Sequence, residues 1–491
     1  MLIVRSGWRS LRAPTAPRGL DLKKLAFITT LNPDLELDLR QSSLGIGYLS
    51  AAIHRERPGR YDIRYFTHRI RRALDDYKPD LVAISSCSAY FGLARYYAQL
   101  AKQRGIPTIV GGIHVSMLPE SLYPEMDVAA RGEGERTIIR LLDLWEETGG
   151  FPRDRLRRIP GLAFREEDGS VFRTEPVTHI QPIDEIPFPD RGLAPVHRHA
   201  YMFTSRGCPY RCAFCASTRY WPGKVRFFSA EYVVAEMEEL LERYDVSLIS
   251  FYDDLFCANL PRLKEIARLM DERRLTGRVR FTCNARANIV TDELAEVLKA
   301  MGVASVNMGL ESGCEATLAY LKDRVTVEEN REAIEILHRH GFFVSGSFII
   351  GSPHETEAQM METYWFLKES PIAITDIYVL IPYPGTPVWD YALQRGLVAT
   401  DMDWSRLTYV GGINPKTLIN LSEHVSAERL CRIHRKFVRL GYRKILSSIL
   451  FHPYRMDLFR TGVRMVRGAV VRRARRVWDR LSGGGSDASA T

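Results

Sequence analysis

Apolar residues cluster in short runs separated by longer stretches of helical period. Leu25–Thr29, Tyr61–Phe66, Asp80–Ser85, Pro107–Val110 and Asp127–Ala130 each read as a strand. Between them, Leu44–His54, Tyr90–Arg104 and Glu135–Glu147 carry apolar positions three and four apart, the spacing of one helix face. Strands alternating with helices predict parallel pairing and a doubly wound α/β sheet. Small-residue turns close three of the strands: Ser85-Ser86, Gly111-Gly112 and Gly132-Glu133-Gly134-Glu135. Ligands of such sheets lie at the carboxyl ends of the strands, where these turns are.

From about Gly150 to His199 the texture changes. Pro152, Pro160, Pro176, Pro182, Pro187, Pro189 and Pro195 prevent long helices, so the segment reads as a connector. A hairpin fits around Asp168-Gly169. A second alternating series follows, with strands at Tyr201–Ser205, Ser247–Tyr252, Val279–Cys283, Ala304–Met308, Val344–Ile350 and Ile377–Ile381. Thr326 with Glu329, and Thr356 with Gln359, are capping boxes that start two of its helices, and Gly341 stops the first of them. Six such repeats over roughly 190 residues predict a partial (β/α)6 barrel of the TIM type, smaller than the eightfold one of about 250 residues. Beyond Val398 the pattern is helical. Phe459, Val463, Val466, Val470, Ala474, Val477 and Leu481 form one apolar face, and arginines fill much of the rest.

The expected organisation is a disordered basic tail (1–23), a doubly wound domain (24–150), the connector (151–199), the partial barrel (200–396), a helical C-terminal region (397–481) and a disordered end (482–491). At about 150 residues per domain, 491 residues leave room for about three domains. No run approaches the roughly 18 apolar residues of a membrane span, and the N-terminus lacks a signal-peptide core. The expected location is therefore cytoplasmic. The net charge of +9 is modest, and its concentration near the C-terminus matters more than its size.

Eight cysteines are too few for a disulfide scaffold, yet Cys208, Cys212 and Cys215 crowd one loop after the first barrel strand. Three thiolates at this spacing can hold three irons of a cubane cluster and leave the fourth iron open. A zinc site or unrelated thiols are the alternatives, but zinc would need a fourth ligand nearby, and the loop contains no further His or Cys. Cys87, Cys257, Cys283, Cys314 and Cys431 are scattered and read as small buried hydrophobes.

With this loop the chain resembles the radical S-adenosylmethionine (SAM) enzymes. The resemblance implies a [4Fe–4S] cluster on the three cysteines and SAM bound at the open iron, cleaved to a 5′-deoxyadenosyl radical. It places Phe214 beside adenine, Asp253 and Asp254 at the methionine amino group, Arg286 at the carboxylate, and Gly309 and Glu311 near the ribose. Each has a plainer alternative: core packing for Phe214, a helix cap for the aspartates, a surface ion pair for Arg286. His354 and Tyr383 are weak candidates for substrate contact, and no catalytic residue is assigned.

The doubly wound domain placed before the barrel, and Ile186-Pro187-Phe188-Pro189 in the connector, are similar to the cobalamin-binding branch of that family. The resemblance implies corrin contacts at Ser85, Ser86, Gly111, Gly112, His114, Gly132 and Glu133. The cobalt-ligating D-x-H-x-x-G string is absent, which leaves a degenerate domain without corrin as the alternative. The implied activity is oxygen-sensitive C-methylation of an unactivated carbon in a small molecule, with a lipophilic substrate among the options. Cyclisation, ring contraction or oxidation without methyl transfer is the alternative, and a non-catalytic corrin- or redox-sensing module is the alternative of another class. The implied partners are a small-molecule substrate and an electron donor such as flavodoxin or ferredoxin. The basic C-terminal helix suggests peripheral contact with an anionic membrane. Nucleic acid is not expected as a partner.

Overall fold

The computed structural model describes residues 22–31, 43–221, 225–408 and 412–451. Its first sheet contains β1 (Lys23–Thr29), β2 (Tyr61–Phe66), β3 (Leu81–Ser85), β4 (Thr108–Gly111), β5 (Val128–Ala130), β6 (Leu162–Arg165) and β7 (Val171–Arg173). The strand order is β2-β1-β3-β4-β5-β6-β7, with β1–β5 parallel and β6 and β7 antiparallel. Alternate residues of β1 enter different cores: Leu25 and Phe27 on one face, Ala26 and Ile28 on the other. Burial on both faces explains why this strand is a continuous apolar run. The helices are α1 (Leu44–Glu56), α2 (Ile70–Tyr77), α3 (Phe91–Lys102), α4 (Ile113–Met117) and α5 (Glu135–Thr148). Ser43 caps α1 by accepting from the Ile46 amide, and Gly149 closes α5 at φ 71°.

The hairpin expected in the connector does more than connect. It forms β6 and β7 and extends the first sheet, because Leu162 and Phe164 are buried there and Ala163 pairs with Ala129. The rest of the connector packs inward through Ile180, Ile183, Ile186 and Phe188, which join the barrel core.

The second sheet contains β8 (His199–Met202), β11 (Leu248–Phe251), β12 (Arg280–Ala285), β13 (Val303–Glu311), β14 (Phe343–Ile350) and β15 (Ile374–Val379). All pairs are parallel, in the order β15-β14-β13-β12-β11-β8. A separate antiparallel pair, β9 (Ser205–Arg206) and β10 (Arg226–Phe227), flanks it. The helices are α6 (Ala230–Arg243), α7 (Leu260–Glu272), α8 (Asp292–Ala300), α9 (Glu315–Leu321), α10 (Val327–Arg339), α11 (Glu357–Glu369) and α12 (Pro387–Gln394). Both expected capping boxes are present, at Thr326/Glu329 and Thr356/Gln359. β15 begins three residues before the expected Ile377, because polar Asp376 sits within the strand and masks its start.

The C-terminal region is helical as expected over Ala427–Phe451, but an extended strap precedes that helix. Apart from a turn at Trp404–Leu407, the described part of 397–426 has no helix, and α13 (Ala427–Phe451) follows. The apolar residues of this strap, Trp404, Leu407, Ile419 and Leu421, are buried in a core shared with the first sheet. Trp404 Nε1 donates to the Tyr123 hydroxyl at 3.0 Å. The Arg-rich stretch 459–481, the end 482–491 and the N-terminal tail up to residue 21 lie outside the described residues. Among the described residues, no helix is long and apolar enough to cross a membrane.

Candidate functional site

The cysteine loop leaves β9 through Gly207, whose φ of 101° suits glycine. Asp253 fixes the approach to this loop. Its buried carboxylate accepts from the Thr204 and Ser205 amides at 2.7 and 2.6 Å and from Thr204 Oγ1 at 2.8 Å. Burial pushes this carboxyl up to about 6. Asp253 therefore holds the backbone, while its exposed neighbour Asp254 accepts from Ser217 Oγ at 2.7 Å at the mouth. The Ala213 amide donates to Leu321 O at 2.9 Å, which ties the loop to the end of α9. Phe214 packs, half-buried, against the core shared by the two sheets.

Cys208, Cys212 and Cys215 are all half-buried. Arg286 donates through Nη1 to Cys212 Sγ at 3.4 Å and stacks 3.7 Å over the Tyr210 ring. It is buried, yet its Nε and Nη2 have no partner. Next to it stands a buried charge pair. Glu311, at φ 60°, lies 3.7 Å from Lys322 Nζ, and Lys322 also donates to the Gly309 carbonyl. Burial raises the Glu311 carboxyl, and Lys322 and Arg286 partly offset that rise. Burial likewise lowers the Lys322 ammonium. Lys322 and Tyr210 were not singled out by the sequence, since no motif marks a lysine after a helix.

Between the two sheets lies a cavity of about 310 Å³. Ser85, Gly111, Gly112, Gly132 and Glu133 line it from the first sheet, and Arg206, Tyr220, Trp221 and Asp254 from the barrel side. Glu133 is buried and committed. Its Oε1 accepts from Arg206 Nη1 at 2.7 Å and Arg226 Nη2 at 2.6 Å, and its Oε2 from the Ile180 amide at 3.0 Å. Arg206 Nη2 also donates to Glu135 Oε1 at 2.6 Å. Burial alone would raise Glu133, but Arg226 and Arg206 pull it below the usual carboxylate range. Arg206, Arg226 and Glu135 form a clamp that only the fold reveals.

Four expected residues lie elsewhere. Ser86 is buried beside Thr30, whose Oγ1 donates to it at 2.8 Å, and it does not line the cavity. His114 is 0% exposed, with Nδ1 at 3.0 Å from Ser88 Oγ and Nε2 at 2.8 Å from Ser121 Oγ. Its ring packs on Phe91 and against the edge of Trp404, so it belongs to the core. His354 faces Glu423 at 3.4 Å on the surface. Tyr383 is exposed at the turn after β15.

Residues 202–367 match the radical SAM superfamily, and residues 36–142 match the B12 binding domain. The uncharacterized methyltransferase PH0819 of Pyrococcus horikoshii is 30% identical over 84% of this chain and 90% of its own length. The chain belongs to the radical SAM superfamily, in the branch that carries a B12 binding domain. This radical SAM protein is an enzyme. It is also 27% identical to the anaerobic magnesium-protoporphyrin IX monomethyl ester cyclase of Cereibacter sphaeroides, over 81% of this chain and 65% of that one. The solved structure of the radical SAM methyltransferase TsrM from Kitasatospora setae shares the fold. The match has a TM-score of 0.65 and 18% identity, over 77% of this chain and 76% of that one.

The residues present fit the groups this family implies. The three loop thiols suit a cluster that takes one thiolate per iron. No three His, Cys, Asp or Glu side chains among the described residues converge on a single-ion site. The orphaned Nε and Nη2 of Arg286 suit a carboxylate. Backbone closes in at Gly112, where a Cβ would fall 2.4 Å from Ser86 O, so the glycine keeps the cavity floor low.

Proposed function

We propose that this enzyme is an oxygen-sensitive C-methyltransferase of a small-molecule pathway that uses a [4Fe–4S] cluster, SAM and cobalamin. One observation carries it: the glycine-floored cavity of the B12 binding domain opens directly onto Arg206 and Asp254, beside the cysteine loop. When bound, the cluster would supply the electron that cleaves SAM, and the corrin would supply a methyl carrier.

The chain's own residues then hold and orient. Cys208, Cys212 and Cys215 would each take one iron. Arg286 would meet the SAM carboxylate with its unpaired nitrogens, and Asp254 its amino group. Gly309 and Glu311 lie on β13, where the ribose would rest, and Lys322 holds Glu311 in place. Phe214 would bring its backbone to the adenine. Ser85, Gly111, Gly112 and Gly132 would border the corrin, and Tyr220 and Trp221 would close over it and exclude water. Reduction calls for a small donor such as flavodoxin or ferredoxin.

Methyl transfer is favoured over cyclisation because the Pyrococcus horikoshii relative, named a methyltransferase, matches at 30% and the cyclase at 27%. The test is anaerobic turnover of reconstituted protein with SAM. The expected result is 5′-deoxyadenosine and S-adenosylhomocysteine together. Deoxyadenosine alone would move the assignment to cyclisation, ring contraction or oxidation. Absence of a cluster signal by Mössbauer or EPR spectroscopy would overturn it and leave a sensing module.

A further inference from the structure

The concave face of the barrel sheet is mostly polar from β11 to β14, with Ile349 and Ile374 toward β15. Side chains alternate along each strand. Ile249, Phe281, Val306, Val344 and Phe348 fill the outer apolar layer. Ser250, Thr282, Asn284, Asn307, Ser345 and Ser347 therefore share the inner face. Ser250 Oγ lies 2.7 Å from Thr282 Oγ1, and Ser345 donates to Asn307. Burying a hydrocarbon body against such a lining would strand its polar groups without partners, whereas a polar ligand keeps them bonded.

The strand order leaves β8 and β15 as the two edges of the sheet. Tyr252 follows β11, and Tyr378 lies on β15. They are 48% and 50% exposed. Tyr201 meets the Tyr252 ring edge-on at 5.4 Å and so steadies it. Asp376 stands on the same inward face of β15 as Tyr378, in register with Ser347. Asp376 is exposed, and the desolvation it does have raises its carboxyl. Glu311, the other acid on this face, has Lys322. Asp376 has no ion pair or hydrogen bond among the described residues. The inward face of β15 thus carries a carboxylate without a cation, two residues from the Tyr378 ring.

We propose that this flank of the barrel takes a polar substrate through a protonated amine, its ammonium paired with Asp376 and laid against Tyr252 and Tyr378. Carboxylate and ring face both attract a cation, and neither attracts an anion. The assignment rests on the reading that the barrel mouth is the reaction site, and it narrows the substrate class of that site away from lipophilic molecules.

The test compares three small probes on the full reconstituted protein by saturation-transfer NMR and calorimetry. They are phenethylammonium, the neutral 3-phenylpropanol and the anionic 3-phenylpropionate. The ammonium is expected to bind about tenfold or more tightly than either of the others, as befits a bond to a charged partner. Asp376→Asn should erase that preference while leaving the alcohol unchanged, and Asp376→Glu should restore part of it. Equal binding of alcohol and ammonium by the unaltered protein would overturn the proposal, as would a preference that survives Asp376→Asn. Should that variant fail to fold, the unaltered protein's preference and its loss in Tyr378→Leu decide. Cluster spectra and SAM cleavage are recorded on the same preparation. Their loss would overturn the methyltransferase reading, whereas the amine preference is read without turnover and stands or falls separately.

Discussion

Arg206 and Glu133 meet at 2.7 Å across the boundary between the two sheets. Glu133 is 3% exposed, and Arg226 and Glu135 complete the pairing around it. Arg206 stands two residues before Cys208, so this contact ties the cysteine loop to the turn that closes β5. Removing one member of a buried ion pair strands the other and costs roughly 3–5 kcal/mol. Glu133→Gln is therefore expected to lower stability by an amount in that range, read as a lower urea midpoint. It should also raise the ratio of 5′-deoxyadenosine to methylated product, because cluster and corrin would lose their fixed spacing. A variant with unchanged midpoint and unchanged ratio would show that the clamp contributes neither stability nor spacing.

Gly112 is held at φ 103°, with Ser86 backbone where a side chain would go. Gly112→Ala must shift the ends of β3 and β4, at an expected cost of about 1–3 kcal/mol. Cobalamin binding, followed by its visible absorbance after gel filtration, should weaken with it. Full binding by the variant would show that the floor of the cavity does not touch the corrin.

Asp253 gives a pH dependence of defined sign. Its ordinary value is 3.8, and burial raises it to about 6 in the fold. Between those values the folded protein keeps a proton that the unfolded chain has lost. Its contribution to stability is thus present below about pH 4, falls as pH rises to about 6, and stays lost above. Asp253→Asn can still accept from the Thr204 and Ser205 amides and should flatten this window. Denaturant titrations of both proteins from pH 4 to 7 measure it. Parallel pH profiles for the two would mean that Asp253 is ionised throughout.

Exposed Arg432, Arg435, Arg439 and Arg443 accompany exposed Tyr442 and Leu446 on α13. The opposite face is apolar and buried through Leu430, Ile433, Phe437 and Leu440. With that face taken up by the barrel core, any attraction of α13 to an anionic membrane surface would come from its arginines alone. Flotation with vesicles containing anionic lipid is expected for the full chain, weakened by salt. Replacing Arg432, Arg439 and Arg443 with Glu should reduce it severalfold. Flotation that ignores both salt and these changes would rule out an electrostatic contact through α13.

The sequence by itself determined the alternation of strands and helices, both capping boxes and the trio of loop cysteines. These are local facts: period, cap chemistry and ligand spacing are written in residues a few positions apart. It also placed Asp253 and His114 at the right turns but could not say which way either side chain faces. Asp253 turned inward to hold Thr204 and Ser205, and His114 turned into a core with Phe91 and Trp404. Only the tertiary structure decided these, along with the Arg206–Glu133 clamp and the return of Trp404 to the first sheet. Each depends on partners dozens to hundreds of residues away, brought together by packing that no local pattern encodes.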